Sequence, residues 1–88
     1  MAKIRTKKDA ENLVLEMLEN PDMEIVLWDE VDSNRIMSLT KDEEFIFLCN
    51  IHYFDTVNGK NFTERRYISE AREAIWENRK NVNKLNNF

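Results

Sequence analysis

The longest apolar run of the chain lies in residues 43–54 and reads EEFIFLCNIHYF. It is rich in aromatic and β-branched residues and contains neither Gly nor Pro, which is typical of a central β-strand. Side chains alternate between the two faces of a strand, so Phe47 and Cys49 share one face and Ile46 and Leu48 share the other. Because both faces are apolar, we predict a strand that needs a cover on each side.

Two amphipathic helices are predicted, one before and one after the strands. The first begins at a capping box formed by Thr6 and Asp9 and ends before Pro21, because the residue that precedes a proline is pushed out of the helical region. The second is predicted to cover residues 70–85, with an apolar stripe that Asn78 interrupts. Both stripes are assigned to the hydrophobic core.

Further strands are predicted from alternating apolar and polar residues and from the turn residues between them. They cover residues 23–28, 35–39 and 61–67, the last as a short edge strand after an Asn58-Gly59 hairpin signal. We therefore predict one α+β domain over residues 1–88, of order α-β-β-β-(β)-α, with an antiparallel sheet packed by two helices. Residues 1–5 and 86–88 are expected to be flexible.

The order of these elements resembles that of the double-stranded RNA-binding domain. That family places a cluster of lysines at the start of its second helix, where they hold phosphates. The matching positions here are Ser69, Glu70, Ala71, Arg72 and Glu73. Since two acidic side chains at this place would repel RNA, the resemblance extends to the topology and not to RNA binding.

Charge is distributed unevenly along the chain. Residues 1–10 have four bases and one acid, residues 11–55 have two bases and twelve acids, and residues 56–88 have seven bases and four acids. The net charge of −4 therefore hides an acidic middle between two basic ends. Either the acids form an ordinary solvated surface, or they form a patch that binds a basic partner.

The composition favours a cytoplasmic protein. The basic N-terminus lacks the apolar run of a signal peptide, and no stretch approaches the length of a membrane span. The single cysteine, Cys49, cannot form an internal disulfide, which fits a reducing compartment.

Candidate catalytic and metal-binding residues are few. Cys49 and His52 are the only residues of their types, and their odd separation on a strand puts them on opposite faces, which argues against a Cys-His catalytic pair and a zinc site. The acidic turn at Glu30 resembles a calcium loop in spacing, but Arg35 stands where such a loop needs Gly. We therefore predict no catalytic residue, no metal and no cofactor, and a protein that is not an enzyme.

Six acidic residues around the second strand form the first candidate binding site. They are Asp29, Glu30, Asp32, Asp42, Glu43 and Glu44. Consecutive turns of a meander lie at opposite ends of a sheet, but these two turns are long. We therefore expect the six carboxylates to spread into one patch that engages a basic surface of a partner protein.

An apolar patch is the second candidate binding site. Short connections should leave both helices on one side of the sheet, the side of the bulkier Phe47 set, so that the opposite face is exposed. The residues expected to bind a partner through apolar contacts are Val26, Trp28, Ile46, Leu48 and, on the second helix away from its stripe, Trp76. This patch would form a homodimer or bind the target.

These features together predict a small, acidic, non-enzymatic protein-binding module. Phages and mobile elements encode inhibitors or modulators of this kind, and the expected partner is a host protein with a basic surface. The alternative is a nucleic-acid-binding domain that uses the basic N-terminal arm and the C-terminal helix, which the overall negative charge disfavours. A structural homodimer is the third hypothesis.

Overall fold

The computed structural model describes residues 3–30, 35–44, 46–53 and 62–86 of the 88-residue chain. Its elements in chain order are α1 (Lys7–Glu19), β1 (Glu24–Glu30), β2 (Arg35–Lys41), β3 (Ile46–Tyr53), β4 (Phe62–Tyr67), α2 (Ile68–Glu77) and α3 (Arg79–Leu85). The predicted α+β class and order of elements are confirmed, and the fourth strand is present. Within the described ranges, no helix is both long enough and apolar enough to span a membrane.

Helix α1 begins and ends where the sequence predicts. The Thr6 hydroxyl accepts a hydrogen bond from the Asp9 N–H at 3.2 Å, and the Asp9 carboxylate accepts one from the Thr6 N–H at 2.9 Å, which completes the capping box. The same carboxylate accepts a hydrogen bond from the Arg5 N–H at 2.9 Å. At the other end, the Asn20 side chain donates to the Glu16 carbonyl at 2.9 Å, just before the proline.

The four strands form one antiparallel sheet in the order β1-β2-β3-β4, so that β1 and β4 are its edges. One row of paired residues crosses the sheet through Ile25, Leu39, Cys49 and Glu64. Directly opposed residues point to the same face of a sheet, so this register determines which side chains lie beneath the helices. Cys49 and His52 both lie on β3, three positions apart, and Cys49 is buried.

The helices pack against a single face of the sheet. The buried apolar residues form one cluster of Ile4, Ala10, Leu13, Val14, Met17, Ile25, Leu27, Leu39, Phe47, Cys49, Ala71, Ile75 and Val82. Phe47 is completely buried, which confirms that its face takes the helices, whereas Ile46 and Leu48 are only partly buried. Of the described elements, none packs on the opposite face of the central strand.

A β-bulge in β1 changes which face its second half presents. Val26 pairs with Ser38 while Trp28 pairs with Met37, so Leu27 is an extra residue in the ladder. Ser38 and Met37 are neighbours on β2 and point to opposite faces, and therefore Val26 and Trp28 do as well. The prediction that Trp28 shares the Val26 face is wrong, because strict alternation along β1 stops at the bulge.

Trp28 instead packs against the core beneath the helices. The Arg35 guanidinium carbon lies 5.3 Å from the centre of the indole ring, which places a cation over its outer part.

The predicted C-terminal helix is two helices that meet at Asn78. The Asn78 side chain donates to the Ala74 carbonyl at 2.8 Å, and the Asn78 N–H donates to the same carbonyl at 3.1 Å, so the last turn of α2 is closed there. The sequence prediction of one continuous helix over 70–85 is therefore corrected. The break lets α3 lie along β1, while α2 packs against α1 and β4.

Helix α3 holds two backbone segments through asparagine side chains. The Asn83 amide accepts a hydrogen bond from the Ile4 N–H at 2.7 Å and donates one to the Ile4 carbonyl at 3.0 Å. One turn later, the Asn86 amide accepts from the Val26 N–H at 2.8 Å and donates to the Val26 carbonyl at 2.8 Å. Each amide thus satisfies both backbone groups of one residue, as a neighbouring strand would.

The Asn86 contacts bind the backbone of an edge strand, β1, and the Asn83 contacts hold the N-terminal segment. Asn86 occupies outward-facing groups of β1 that would otherwise be open to pairing with another chain. Ile4 is 3% exposed and belongs to the core cluster, although it lies in the segment that we expected to be flexible. Burial and two hydrogen bonds oppose fraying at Ile4, and the flexibility of the outermost residues stays a prediction.

The capping box predicts a specific pH dependence of stability. Hydrogen bonds from the backbone N–H groups of Arg5 and Thr6 hold the pKa of the Asp9 carboxyl below its ordinary value. A lowered folded-state pKa contributes stability above the unfolded pKa of about 3.9, and that contribution is lost as the pH falls through the folded pKa. We therefore expect Asp9→Asn to lower the melting temperature at neutral pH and to flatten its decline below about pH 4.

The matched control is Asp22→Asn, the same chemical change at an exposed turn residue. Melting followed by circular dichroism from neutral to acidic pH gives both curves. Equal acid sensitivity of wild type and Asp9→Asn would show that the Asp9 carboxylate does not stabilise the fold.

Candidate functional site

The face of the sheet opposite the helices, here called the open face, is left without a helix by the described elements. The strand register places on it Glu24, Val26, Asp29, Ile36, Ser38, Thr40, Ile46, Leu48, Asn50, Thr63, Arg65 and Tyr67. Three of the five residues predicted to bind a partner through apolar contacts, Val26, Ile46 and Leu48, lie together on this face. The other two, Trp28 and Trp76, do not.

Apolar side chains are concentrated at one end of the open face. Tyr67 pairs with Ile46 across β3 and β4 and is 67% exposed. Leu48, the next residue on this face of β3, is partly buried and pairs with Arg65. A hollow of about 190 Å³ lies between Ile46, Arg65, Arg66 and Tyr67. An exposed aromatic ring beside a hollow is the type of feature that anchors protein interfaces.

A hydrogen-bonded row of polar side chains crosses the centre of the open face. Asn50 donates to the Thr40 hydroxyl at 3.0 Å and accepts from the Thr63 hydroxyl at 3.2 Å. Ser38, which is 3% exposed, donates to the Glu24 carboxylate at 3.0 Å. Since these groups hold one another in place, their side chains at the centre of the face have fixed positions.

The acidic residues do not form the single patch that the sequence predicted. Asp29 and Glu30 end β1 beside Arg35, the first residue of β2, whereas Asp42 follows Lys41, the last residue of β2. Seven extended residues of β2 separate the two groups by about 20 Å. Glu43 and Glu44 lie with Asp42 in the turn, and Asp32 lies outside the described residues. The physical reason is the meander, which places consecutive turns at opposite ends of the sheet.

The acidic turn after β2 is partly neutralised by Arg65 from β4. The Arg65 guanidinium lies 3.3 Å from the Glu43 carboxylate and 3.7 Å from that of Asp42. The side chain of Arg65 is 65% exposed and that of Glu43 60%, so solvent screens these contacts strongly. Two acidic groups therefore flank the open face at its two ends, one with a basic neighbour on the face.

Trp76 lies on the helix layer, in the last turn of α2. The Arg79 guanidinium carbon is 4.1 Å from the centre of the indole ring, and the same side chain donates to the Trp76 carbonyl at 3.0 Å. The ring is partly exposed, as the sequence predicted, but it also packs against the core. Trp76 is therefore separate from the open face.

The groups with catalytic potential are buried or dispersed. Burial raises the pKa of the Cys49 thiol, the Glu64 carboxylate raises it further, and the nearby Arg66 guanidinium opposes both effects, so the neutral thiol is favoured at neutral pH. In the described ranges, no three His, Cys, Asp or Glu side chains come together in a way that could hold a metal ion.

Sequence reasoning missed Tyr67 and Arg65 as members of the site. Their alternation on a predicted edge strand shows that they share a face, but it does not show which residues of β3 lie beside them. The pairing of Tyr67 with Ile46 and of Arg65 with Leu48 is set by the register, which comes from contacts between strands.

The positions of Trp28 and Tyr67 on the two faces predict losses of stability of different size when each is replaced by Ala. Trp28 packs against the core, so we expect Trp28→Ala to lower the free energy of unfolding by about 2 kcal/mol. Tyr67 is mostly exposed, so Tyr67→Ala should change it by less than about 0.5 kcal/mol. Urea denaturation of the two variants measures both values. A loss for Trp28→Ala no larger than that for Tyr67→Ala would contradict the bulge and the face that it assigns to Trp28.

Comparisons of the chain with protein-family models, with curated proteins and with solved structures find no match to any of them.

Proposed function

We propose that the protein is a small non-enzymatic binding module whose open face docks onto a partner protein with a basic surface. The observation that carries the proposal is a sheet face without a helical cover, on which partly exposed apolar residues lie between two acidic ends. Tyr67 is the anchor that we assign to it, because a large exposed aromatic side chain beside a hollow suits a central interface contact. By occupying a basic surface, such a module would inhibit or modulate the partner.

The negative charge of the open face and its ends supports a partner protein with a basic surface. The carboxylates of the open face and its ends are those of Glu24, Asp29, Asp42, Glu43 and Glu44. Arg65 is the cation of the open face in the described register, and Arg35 and Lys41 lie beside the acidic residues at the two ends of β2. Complementary charge of this kind speeds encounter and disfavours partners of the wrong sign.

A second copy of the chain is a poorer partner for the same face. In a symmetric pair stacked through the open faces with aligned strands, parallel or antiparallel, one acidic end lies against another. Like charges placed opposite each other oppose association, so the acidic ends favour a different, basic protein over a homodimer.

The direct test compares variants in affinity capture. The tagged wild-type protein, the open-face variant Leu48→Asn/Tyr67→Ala and the control Leu15→Asn are incubated with the same lysate. Leu15 is an exposed apolar residue of α1, 48% exposed, and thus matches the chemistry of the change at a different surface. We expect a partner protein that wild type and control retain and that the open-face variant loses by about tenfold or more.

Equal retention by all three proteins would show that the open face is not the binding surface. Sedimentation equilibrium of the wild type adds a second readout. A stable dimer that the open-face variant abolishes would replace the basic partner by a second copy.

Substitution of Arg65 tests the role of the acidic ends in partner binding. Arg65→Gln removes the cation beside Asp42 and Glu43, so we expect affinity for the captured basic partner to rise about threefold at low salt. Stability should change by less than about 0.5 kcal/mol, because exposed ion pairs contribute little. The control is Arg72→Gln, the same change at an exposed residue of α2. An equal effect of both variants would mean that only total charge matters.

A further inference from the structure

The two basic ends of the chain meet in the fold. In the sequence they are separated by the whole acidic middle, but the Asn83 amide of α3 holds the Ile4 backbone through hydrogen bonds of 2.7 and 3.0 Å. Lys3 and Arg5 flank Ile4 directly. On the α3 side of this contact, Lys84 directly follows Asn83. Cations from both ends therefore lie around one contact.

The contact between Asn83 and Ile4, here called the joint, produces one surface with a high density of positive charge, here called the basic surface. Its exposed cations are Lys3, Arg5, Lys7, Lys8, Lys80 and Lys84. Residues 3–8 and 78–86 contain no acidic residue, but Asp9 and Glu77 border them, and the Asp9 carboxylate accepts a hydrogen bond from the Arg5 N–H at 2.9 Å. Lys80 lies one helical turn before Asn83. Lys8 makes an exposed ion pair with Glu11 at 3.6 Å, while the described contacts give Lys3, Lys80 and Lys84 no carboxylate partner within ion-pair distance.

We propose that the basic surface binds the phosphate backbone of a nucleic acid. Several exposed cations on two adjacent segments can neutralise successive phosphates, and the release of counterions from the polyanion drives such binding. The acids of the sheet oppose it only weakly, because salt screens charges beyond about 10 Å at 0.1 M ionic strength. This surface is built from the chain ends and α3, so the inference is independent of the protein-binding role of the open face.

The exposed apolar residues favour a nucleic acid over a membrane as the polyanion. Peripheral proteins that bind anionic lipids through basic residues combine them with apolar side chains that enter the bilayer. The large apolar side chains that are exposed in the described ranges are Leu15 and Tyr67, and neither belongs to the basic surface. A purely polar, cationic surface suits a phosphate backbone in water.

Asn83 is the positioning residue of this surface. It carries no charge, but its two hydrogen bonds and the burial of Ile4, which is 3% exposed, keep Lys3 and Arg5 beside α3. A fixed array of cations loses less conformational entropy on binding than a free arm does. Loss of the Asn83 amide should therefore weaken binding although no charge is removed.

The experiment measures fluorescence anisotropy of a labelled DNA duplex, and in parallel a labelled RNA strand, against protein at salt concentrations from about 50 to 200 mM. We expect binding by the wild type at low salt, with the logarithm of the association constant falling linearly against the logarithm of salt. A slope of about −3 to −5 corresponds to about four or five neutralised phosphates. Arg5→Gln should weaken binding about fivefold and make the slope shallower by about one.

Two matched controls make the result specific. Lys41→Gln removes the same charge at the end of β2 beside the acidic turn, and it should bind as the wild type does. Asn83→Ala should weaken binding about threefold or more, whereas Asn81→Ala, at an exposed position of the same helix, should not. Circular dichroism melting confirms that each variant is folded at the assay temperature, and Arg5→Gln carries the test if Asn83→Ala unfolds.

The inference is overturned if the wild type does not bind either nucleic acid at low salt, or if Arg5→Gln and Lys41→Gln weaken binding equally. It is also overturned if vesicles containing anionic phospholipid bind as tightly as the nucleic acids, since the polyanion would then be a membrane. Unchanged binding by folded Asn83→Ala would refute the joint as the element that assembles the surface.

Discussion

Burial of one sheet face beneath the helices is the constraint on which the rest of the structure depends. Phe47, Leu39 and Ile25 lie across three neighbouring strands, and side chains from all three helices close over them. The helices have 13, 10 and 7 residues, enough for one layer over a four-stranded sheet. The open face is the other side of this two-layer packing.

Helix α3 extends that packing to the edge of the sheet. Its direction depends on the break at Asn78. The side chain of Asn86, its C-cap residue, binds the backbone of Val26 as a fifth strand would, and that of Asn83 binds the backbone of Ile4. An edge strand needs partners for its outward-facing backbone groups, and a side-chain amide has one donor side and one acceptor to match them. The same helix thereby protects β1 and draws the N-terminal segment into the core.

The fold rearranges the charge pattern of the sequence. The acidic middle is a single block in the chain, but the meander divides its two turns between opposite ends of the sheet. The basic ends are two blocks in the chain, but the Asn83 contact makes them one surface. Two surfaces of opposite sign result, an acidic-ended open face and a basic surface on the chain ends, and each proposal rests on one of them.

The sequence by itself determined the first helix and the four strands, because the signals that specify them are local. The capping box of Thr6 and Asp9 and the proline after Asn20 define α1, and alternation along β3 shows that Phe47 and Ile46 point to opposite faces. Strand order followed as well, since short connections favour neighbouring antiparallel strands. The candidate residues Val26, Ile46 and Leu48 were found by the same reasoning.

Only the tertiary structure decided which of these residues meet. An extra residue at Leu27 moves Trp28 to the core face, and such a bulge is set by how β1 pairs and packs, not by its own pattern. Tyr67 and Arg65 join the open face through the register of β4 on β3, and the basic ends join through a contact between residues 79 positions apart. Register, bulges and long-range side-chain contacts depend on the free energy of the whole packed chain, which no local pattern of residues encodes.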